Sequence, residues 1–282
     1  MLSGSFALPA GRTTFVPSMS CVTLLSDFGL HDASVASVKG ALLQYVPQLP
    51  LVDISHLIEP FHLQQAAYIL TSCYERFPKG TVHLLLFDVF SEEEPSLVIC
   101  EKNGHYFLAP DNGILTLAFN TNPEKVRLCF QLKAHHDFQD WVHKCGEIIR
   151  EVQQSGIDAL TFPATDLKKA PVHWTIKVED NVIESHVIHI DRFENVVTNI
   201  TREQFDQVGQ GRPFRIRFMR NEEIRELSRH YSDVREGEKL CRFNSSGYLE
   251  IAINRGRAAS LFGLRLHREQ HLMYNTIKLY FE

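Results

Sequence analysis

A chain of 282 residues, 44% hydrophobic and 22% charged, has the composition of an ordinary soluble globule and is long enough for two domains. Its net charge of −5, with no basic block, argues against nucleic acid as the main partner. No apolar run reaches the length of a membrane span, and the six scattered cysteines form neither a CxxC pair nor a zinc-spaced cluster. Free thiols in a reducing cytoplasm are therefore expected, with no metal site and no membrane partner.

Residues 1–19 mix Ser, Gly, Pro and Thr around a short apolar patch. Arg12 comes too late for the charged start of a signal peptide, so this stretch reads as a flexible leader. An α/β domain is expected over 20–166, because strand and helix patterns alternate there. It opens with the apolar run Cys21–Leu25, which ends in Ser26-Asp27-Phe28-Gly29. A second acid, Asp32, and an apolar-periodic segment (Val35, Val38, Leu42, Leu43) follow. That is a strand, a tight turn and a helix start. In open α/β sheets ligands lie at the carboxyl ends of strands, and a carboxylate there can accept both hydroxyls of a ribose. Capping of the helix by Asp27 or Asp32 accounts for the same pattern.

Farther along, Leu51–Ile54 reads as a short buried strand and His62–Phe77 as a helix closed by Pro78-Lys79-Gly80. Val82–Phe87 is a near-continuous apolar run, the mark of a strand covered on both faces. Ser96–Cys100 and Tyr106–Leu108 form a predicted hairpin turned by Asn103-Gly104. A polar turn, Pro110-Asp111-Asn112-Gly113, leads into apolar residues, and Asp140–Gln153 is a predicted helix. A hinge is expected at Leu167–Pro171, with a C-terminal β domain over 171–282. There Val172–Val178, Ser185–Ile190, Phe214–Phe218 and Leu249–Ile253 alternate in the strand period, with one helix expected near Asn221–Arg229. The predicted fold class is α/β: an N-terminal α/β sheet domain followed by a smaller β-barrel-like C-terminal domain.

Four separated blocks carry a resemblance: LLSDFGLHDASVASVKG (Leu24–Gly40), DISHLIEPFHLQQAAY (Asp53–Tyr68), APDNGILT (Ala109–Thr116), and IDRFENVVTNI (Ile190–Ile200) with NSSGYLEIAINRGRAA (Asn244–Ala259). In this order the sequence resembles the S-adenosylmethionine hydroxide adenosyltransferases, a family that also contains the fluorinases and chlorinases. The resemblance implies a homotrimer with S-adenosylmethionine between one subunit's first domain and a neighbour's second, and no cofactor. Carried over by position, Asp27 looks like the ribose-binding carboxylate, with Asp32 and Ser34 lining the same pocket. Asn195 looks like the adenine-reading amide. Asp191 and Ser245 look like ligands of the methionine amino and carboxyl groups, and Ala258 falls in the same pocket. An Asn side chain matches the adenine edge with a donor beside an acceptor. Asn195 and Asp191 also suit a turn between strands.

The reaction implied is displacement of methionine at C5′ by water, with Asp88 as the catalytic carboxylate. Such a step needs a nucleophile held in line behind the carbon. Here the sequence departs from its relatives. In place of their Asp-Pro-Gly-Val-Gly loop and following Arg it reads Asp88-Val89-Phe90-Ser91-Glu92-Glu93-Glu94-Pro95. In place of their Thr-Phe-His-Gly-Arg-Asp block it has Asp137-Phe138-Gln139-Asp140, with His135, His136 and His143 nearby. Glu194 replaces a Gly, which strains a left-handed turn if one is required there. Two functions follow: a hydrolase forming adenosine, or a catalytically impaired S-adenosylmethionine- or adenosine-binding protein of the same fold.

Overall fold

The computed structural model describes residues 20–119, 123–133, 135–169, 176–219, 222–266 and 276–282. Its N-terminal sheet has six strands: β1 (Val22–Ser26), β2 (Leu51–Ser55), β3 (Val82–Leu86), β4 (Ser96–Lys102), β5 (His105–Pro110) and β6 (Glu124–Gln131), in the order β2-β1-β3-β5-β4-β6. β2, β1, β3 and β5 run parallel, and β4 pairs antiparallel with both β5 and β6. β1 and β3 are buried along their whole length, with alternate residues going to opposite faces. Val22, Leu24, Leu84 and Leu86 pack on one face with α1 (Ser34–Tyr45) and α4 (Phe138–Ser155). Leu25, Leu85 and Phe87 pack on the other with α2 (Leu63–Thr71) and α3 (Ile114–Ala118). Helices on both faces explain why these strands are uniformly apolar.

The chain goes from β1 through α1 to β2 on one side, then through α2 to β3 on the other side of β1. The crevice at the carboxyl ends of β1 and β3 is thus a topological switch point. The predicted hairpin forms as β4–β5, with Asn103 (φ +53°) and Gly104 (φ +82°) both left-handed as its turn requires. β2 is an edge strand with Val52 and Asp53 exposed, not the buried strand expected, because β1 is its single neighbour in the sheet. The helix expected over 62–77 stops at Thr71 and gives way to a 3-10 turn at Tyr74–Arg76. The Thr71 and Ser72 hydroxyls both return to the Tyr68 carbonyl there, competing with the helical ladder. β6 is an edge strand that the sequence reading did not name.

The C-terminal strands are β7 (Lys177–Glu179), β8 (Val182–Ser185), β9 (Val187–Ile190), β10 (Val196–Thr201), β11 (Phe214–Met219), β12 (Glu222–Ile224), β13 (Lys239–Phe243), β14 (Tyr248–Ile253) and β15 (Ile277–Phe281). They form two antiparallel sheets, β13-β14-β10-β9 and β12-β11-β15-β8-β7. Residues of both sheets, among them Val196, Ile251, Ile216 and Leu279, share one core. Among the described residues the arrangement is two open sheets rather than a closed barrel. The helix expected near 221–229 is replaced by β12, which pairs with β11 through Ile216 and Ile224. The helices lie elsewhere: α5 (Arg202–Gly209), started by a Thr201–Gln204 capping box, and α6 (Ala258–Phe262).

The two halves meet where α2 packs against the four-stranded sheet. Gln65 Nε2 lies 3.0 Å from His189 Nδ1, Asn244 Nδ2 donates to Tyr68 Oη at 3.0 Å, and Tyr68 packs edge-on against Tyr248. The expected leader and the Ala170–Pro171 part of the expected hinge lie outside the described residues, as does most of the strand expected over 172–178. Among the described residues no helix is long and apolar enough to cross a membrane.

Candidate active site

A cavity of about 390 Å³ opens at the switch point, within the size range of small-molecule sites. Asp27 and Phe28 enter it from the end of β1, Ser34 from the first turn of α1, and Asp88, Val89 and Phe90 from the end of β3. Pro60, Phe61 and Phe138 complete the wall. The strand that ends in Asp27 hydrogen-bonds the strand that precedes Asp88, so the sheet itself sets the two carboxylates side by side.

Asp27 is half-buried. Its carboxylate accepts from the backbone N–H of Phe61 (3.4 Å) and from that of Asp88, yet burial dominates and its pKa rises above the ordinary value. Asp88 is raised as well, first by burial and then by the negative charge of Asp27. Its φ of +46° is left-handed, a costly conformation for a residue with a side chain. Asn112, from the Asp-Asn-Gly turn before α3, braces it: Nδ2 donates to the carbonyls of Phe87 (3.0 Å) and Asp88 (3.4 Å). Around the two acids the wall is aromatic, with Phe28 edge-on to Phe138 at 5.4 Å and Phe90 at 6.2 Å from it.

None of the three consecutive glutamates lines the cavity. Glu92 pairs with Lys168, Glu94 accepts from Gln131 at 3.4 Å, and all three are exposed. Among the described residues, none that lines the cavity is basic. Phe138 reaches the wall, but its neighbour Asp137 caps α4, accepting from the N–H groups of Gln139 and Asp140. None of the candidate histidines lines the cavity. His143 binds Tyr45 Oη, and His136 accepts from the Lys133 N–H. Among the described residues no three His, Cys, Asp or Glu side chains are grouped to hold a metal ion.

Of the other expected residues, Asp32 is exposed and does not line the cavity. It accepts from the Ser34 N–H at 2.8 Å, which ties the turn ahead of α1 without capping it, since the N-cap is Ala33, and that bond lowers its pKa. The remaining four lie in the C-terminal half, outside the cavity. Asp191 ties its own turn, with Oδ1 accepting from the N–H groups of Phe193 and Asn195 and Oδ2 accepting from Asn195 Nδ2 at 2.9 Å. Glu194 in that turn has φ +63°, so the left-handed turn is real. Its side chain accepts from the Ser260 N–H and its carbonyl from the Ala259 N–H, docking the turn on α6 beside buried Ala258. Ser245 is exposed in the β13–β14 turn. Phe28, Phe61 and Phe90 are lining residues that the sequence does not single out, although Phe28 and Phe61 lie inside the motif blocks and Phe90 inside the altered loop.

Residues 22–145 match the model of the SAM hydroxide adenosyltransferase N-terminal domain, and residues 185–270 match that of the C-terminal domain. The chain is 26% identical to an (R)-S-adenosyl-L-methionine hydrolase of Methanocaldococcus jannaschii, over 91% of its length and 97% of the relative's. It is 29% identical to one of Thermus thermophilus, over 88% of its length and 97% of the relative's. An uncharacterized conserved protein from Thermotoga maritima has the same fold, with a TM-score of 0.70 at 24% identity, over 92% of this chain and 99% of that one.

Proposed function

The chain belongs to the S-adenosylmethionine hydroxide adenosyltransferase family, and from that premise we propose that it hydrolyses S-adenosylmethionine to adenosine and methionine. Relatives carrying the hydrolase name match it over nearly their whole length, which supports the reading. The observation that carries it is the placing of Asp27 and Asp88 in one cavity at the switch point. Asp27, with its acceptor oxygens at the end of β1, takes the ribose diol. Asp88 takes a proton from water as the oxygen attacks C5′. The C5′–O bond forms as the C5′–S bond breaks, and the sulfonium sulfur keeps the bonding electrons and leaves as a neutral thioether. The proton then passes from Asp88 to solvent. A raised pKa suits Asp88 to this work, because a stronger base accepts the proton more readily. The displacement calls for no cofactor.

Two negative groups in a wall whose described residues include no basic side chain repel anions, so water rather than halide is the nucleophile in this reading. Ser34 stays with the pocket, whereas Asp32 is assigned only to supporting the loop. Asn195, Asp191, Ser245 and Ala258 are assigned to a neighbouring copy, since they do not line the same chain's cavity. Exposed Phe61 in the cavity wall and exposed Phe193 in the Asp191–Asn195 turn, with exposed Leu57 and Leu261, offer apolar surface for such a contact. A homotrimer in the cytoplasm is the corresponding assembly, and six free cysteines suit a reducing compartment.

The wall at Val89 and Phe90, with no cation among the described lining residues, favours a second reading: adenosyl binding without turnover. Incubation with S-adenosylmethionine and chromatography of the products separates the two. Adenosine and methionine in equal amounts are expected. Tight binding with no adenosine identifies the binding protein, and no binding at all removes both readings.

A further inference from the structure

Behind the cavity a line of polar side chains runs from the surface to the turn that carries Asp27. Lys39 Nζ, on α1, donates to Asp53 Oδ2 at 2.7 Å. Asp53 Oδ1 lies 3.0 Å from His56 Nε2, a close electrostatic contact lying off the line of a straight hydrogen bond. His56 Nδ1 is 2.7 Å from Ser26 Oγ, with both residues buried. A carboxylate beside Nε2 requires the proton there, which leaves Nδ1 to accept from the Ser26 hydroxyl. The Ser26 oxygen then accepts the Phe28 N–H at 3.4 Å, so the polarity is consistent from end to end. The His56 carbonyl also accepts the Gly29 N–H at 2.7 Å. His56 therefore grips both ends of a four-residue turn: its side chain holds Ser26 and its backbone holds Gly29. The two residues between, Asp27 and Phe28, are the ones that face the cavity. Ser26 is fully buried and is not among the lining residues, so a nucleophilic Ser-His-Asp site is excluded despite the residue types.

We propose that His56 is a positioning residue for Asp27, and that the Lys39–Asp53–His56–Ser26 relay sets the affinity of the site for a vicinal diol. The inference rests on the adenosyl reading given above. It predicts which part of the ligand loses its grip when the relay is cut: the ribose hydroxyls, not the base. A side chain that only stabilised the fold would weaken every ligand alike.

The test is calorimetric binding of adenosine and of 2′,3′-dideoxyadenosine to the full-length protein and its variants. The wild-type chain is expected to prefer adenosine by at least about tenfold, the worth of a charge-assisted hydrogen bond. Ser26→Ala and His56→Ala are expected to lose most of that preference while binding the dideoxy nucleoside as the wild type does. Ser26→Thr, which keeps the hydroxyl, should restore it. Lys39→Met, at the solvent end, should lose a smaller part and keeps the test open if His56→Ala fails to fold. Equal weakening toward both nucleosides, or unchanged affinity for adenosine in Ser26→Ala, overturns the relay's role while leaving the pocket in place. A wild-type protein that binds neither nucleoside overturns the adenosyl reading, and the relay's role with it.

Discussion

Asp88 combines three features that rarely meet in one residue: a left-handed backbone, a raised pKa and a place in the wall of a cavity. Strain of this kind persists only where neighbours over-determine it, and Asn112 supplies that constraint through two consecutive carbonyls. Asn112→Ala is therefore expected to cost about 1 kcal/mol in urea unfolding and to lower kcat more than it raises KM. Asp88→Asn should bind S-adenosylmethionine almost as the wild type does but lose turnover by about 10²–10⁴-fold in single-turnover assays. A base must be deprotonated to work, so kcat should climb as pH rises through the raised pKa of Asp88 and level off above it. An acid limb centred at or below the ordinary carboxylate value would remove Asp88 as the base. In the C-terminal half Glu194 is also left-handed, but its side chain caps α6. Glu194→Gly relieves the strain while losing the cap, whereas Glu194→Ala loses the cap and keeps the strain. Thermal melts should thus rank Gly above Ala.

At the scale of elements, the central strands were plain in the sequence because burial on both faces leaves them uniformly apolar, as in Val82–Leu86. The edges were not. β2 alternates too little to show that it is exposed, and β6 carries charged residues between its apolar ones. The helix expected near 221–229 failed because Glu and Arg favour a helix locally, while pairing with β11 decides the outcome. One buried feature of the sheet has a measurable consequence. His83 on β3 is bonded to Thr23 Oγ1 (2.7 Å) and lies 3.2 Å from His105 Nδ1, and burial with the neighbouring imidazole lowers its pKa to about 3. The folded state then binds fewer protons than the unfolded one between that value and the ordinary histidine pKa near 6.5. Stability is whole above the upper limit and is lost progressively as pH falls through this window. Urea midpoints should decline across it, and the decline should be shallower in His83→Gln, which keeps a partner for Thr23 without the titration. A parallel decline in both proteins would show that other groups carry the acid sensitivity.

For the whole molecule, the first motif block supplies three residues of the cavity wall, Asp27, Phe28 and Ser34, which periodicity does not mark. Asp27 and Asp88 are far apart in the chain, and the pairing of β1 with β3 brings them to one cavity, which Ser34 joins from the start of α1. The four C-terminal candidates stay out of it, and the proposed function assigns them to a neighbouring copy. Light scattering should accordingly report three chains per particle, and Phe61→Asp together with Leu57→Asp should yield monomers that no longer turn over substrate. The aromatic wall escaped notice because a Phe beside a motif reads as core until the fold leaves it exposed, as it does Phe61 and Phe90. The central claim is that water, deprotonated by Asp88, displaces methionine at C5′ of a nucleoside held by Asp27. Turnover of S-adenosylmethionine in water enriched in ¹⁸O, followed by mass spectrometry of the nucleoside, tests it most directly. The account predicts adenosine carrying one heavy oxygen at C5′ from the wild-type protein, and its formation by Asp88→Asn about 10²–10⁴-fold more slowly. Adenosine without the label, or labelled adenosine formed equally fast by Asp88→Asn, would contradict it.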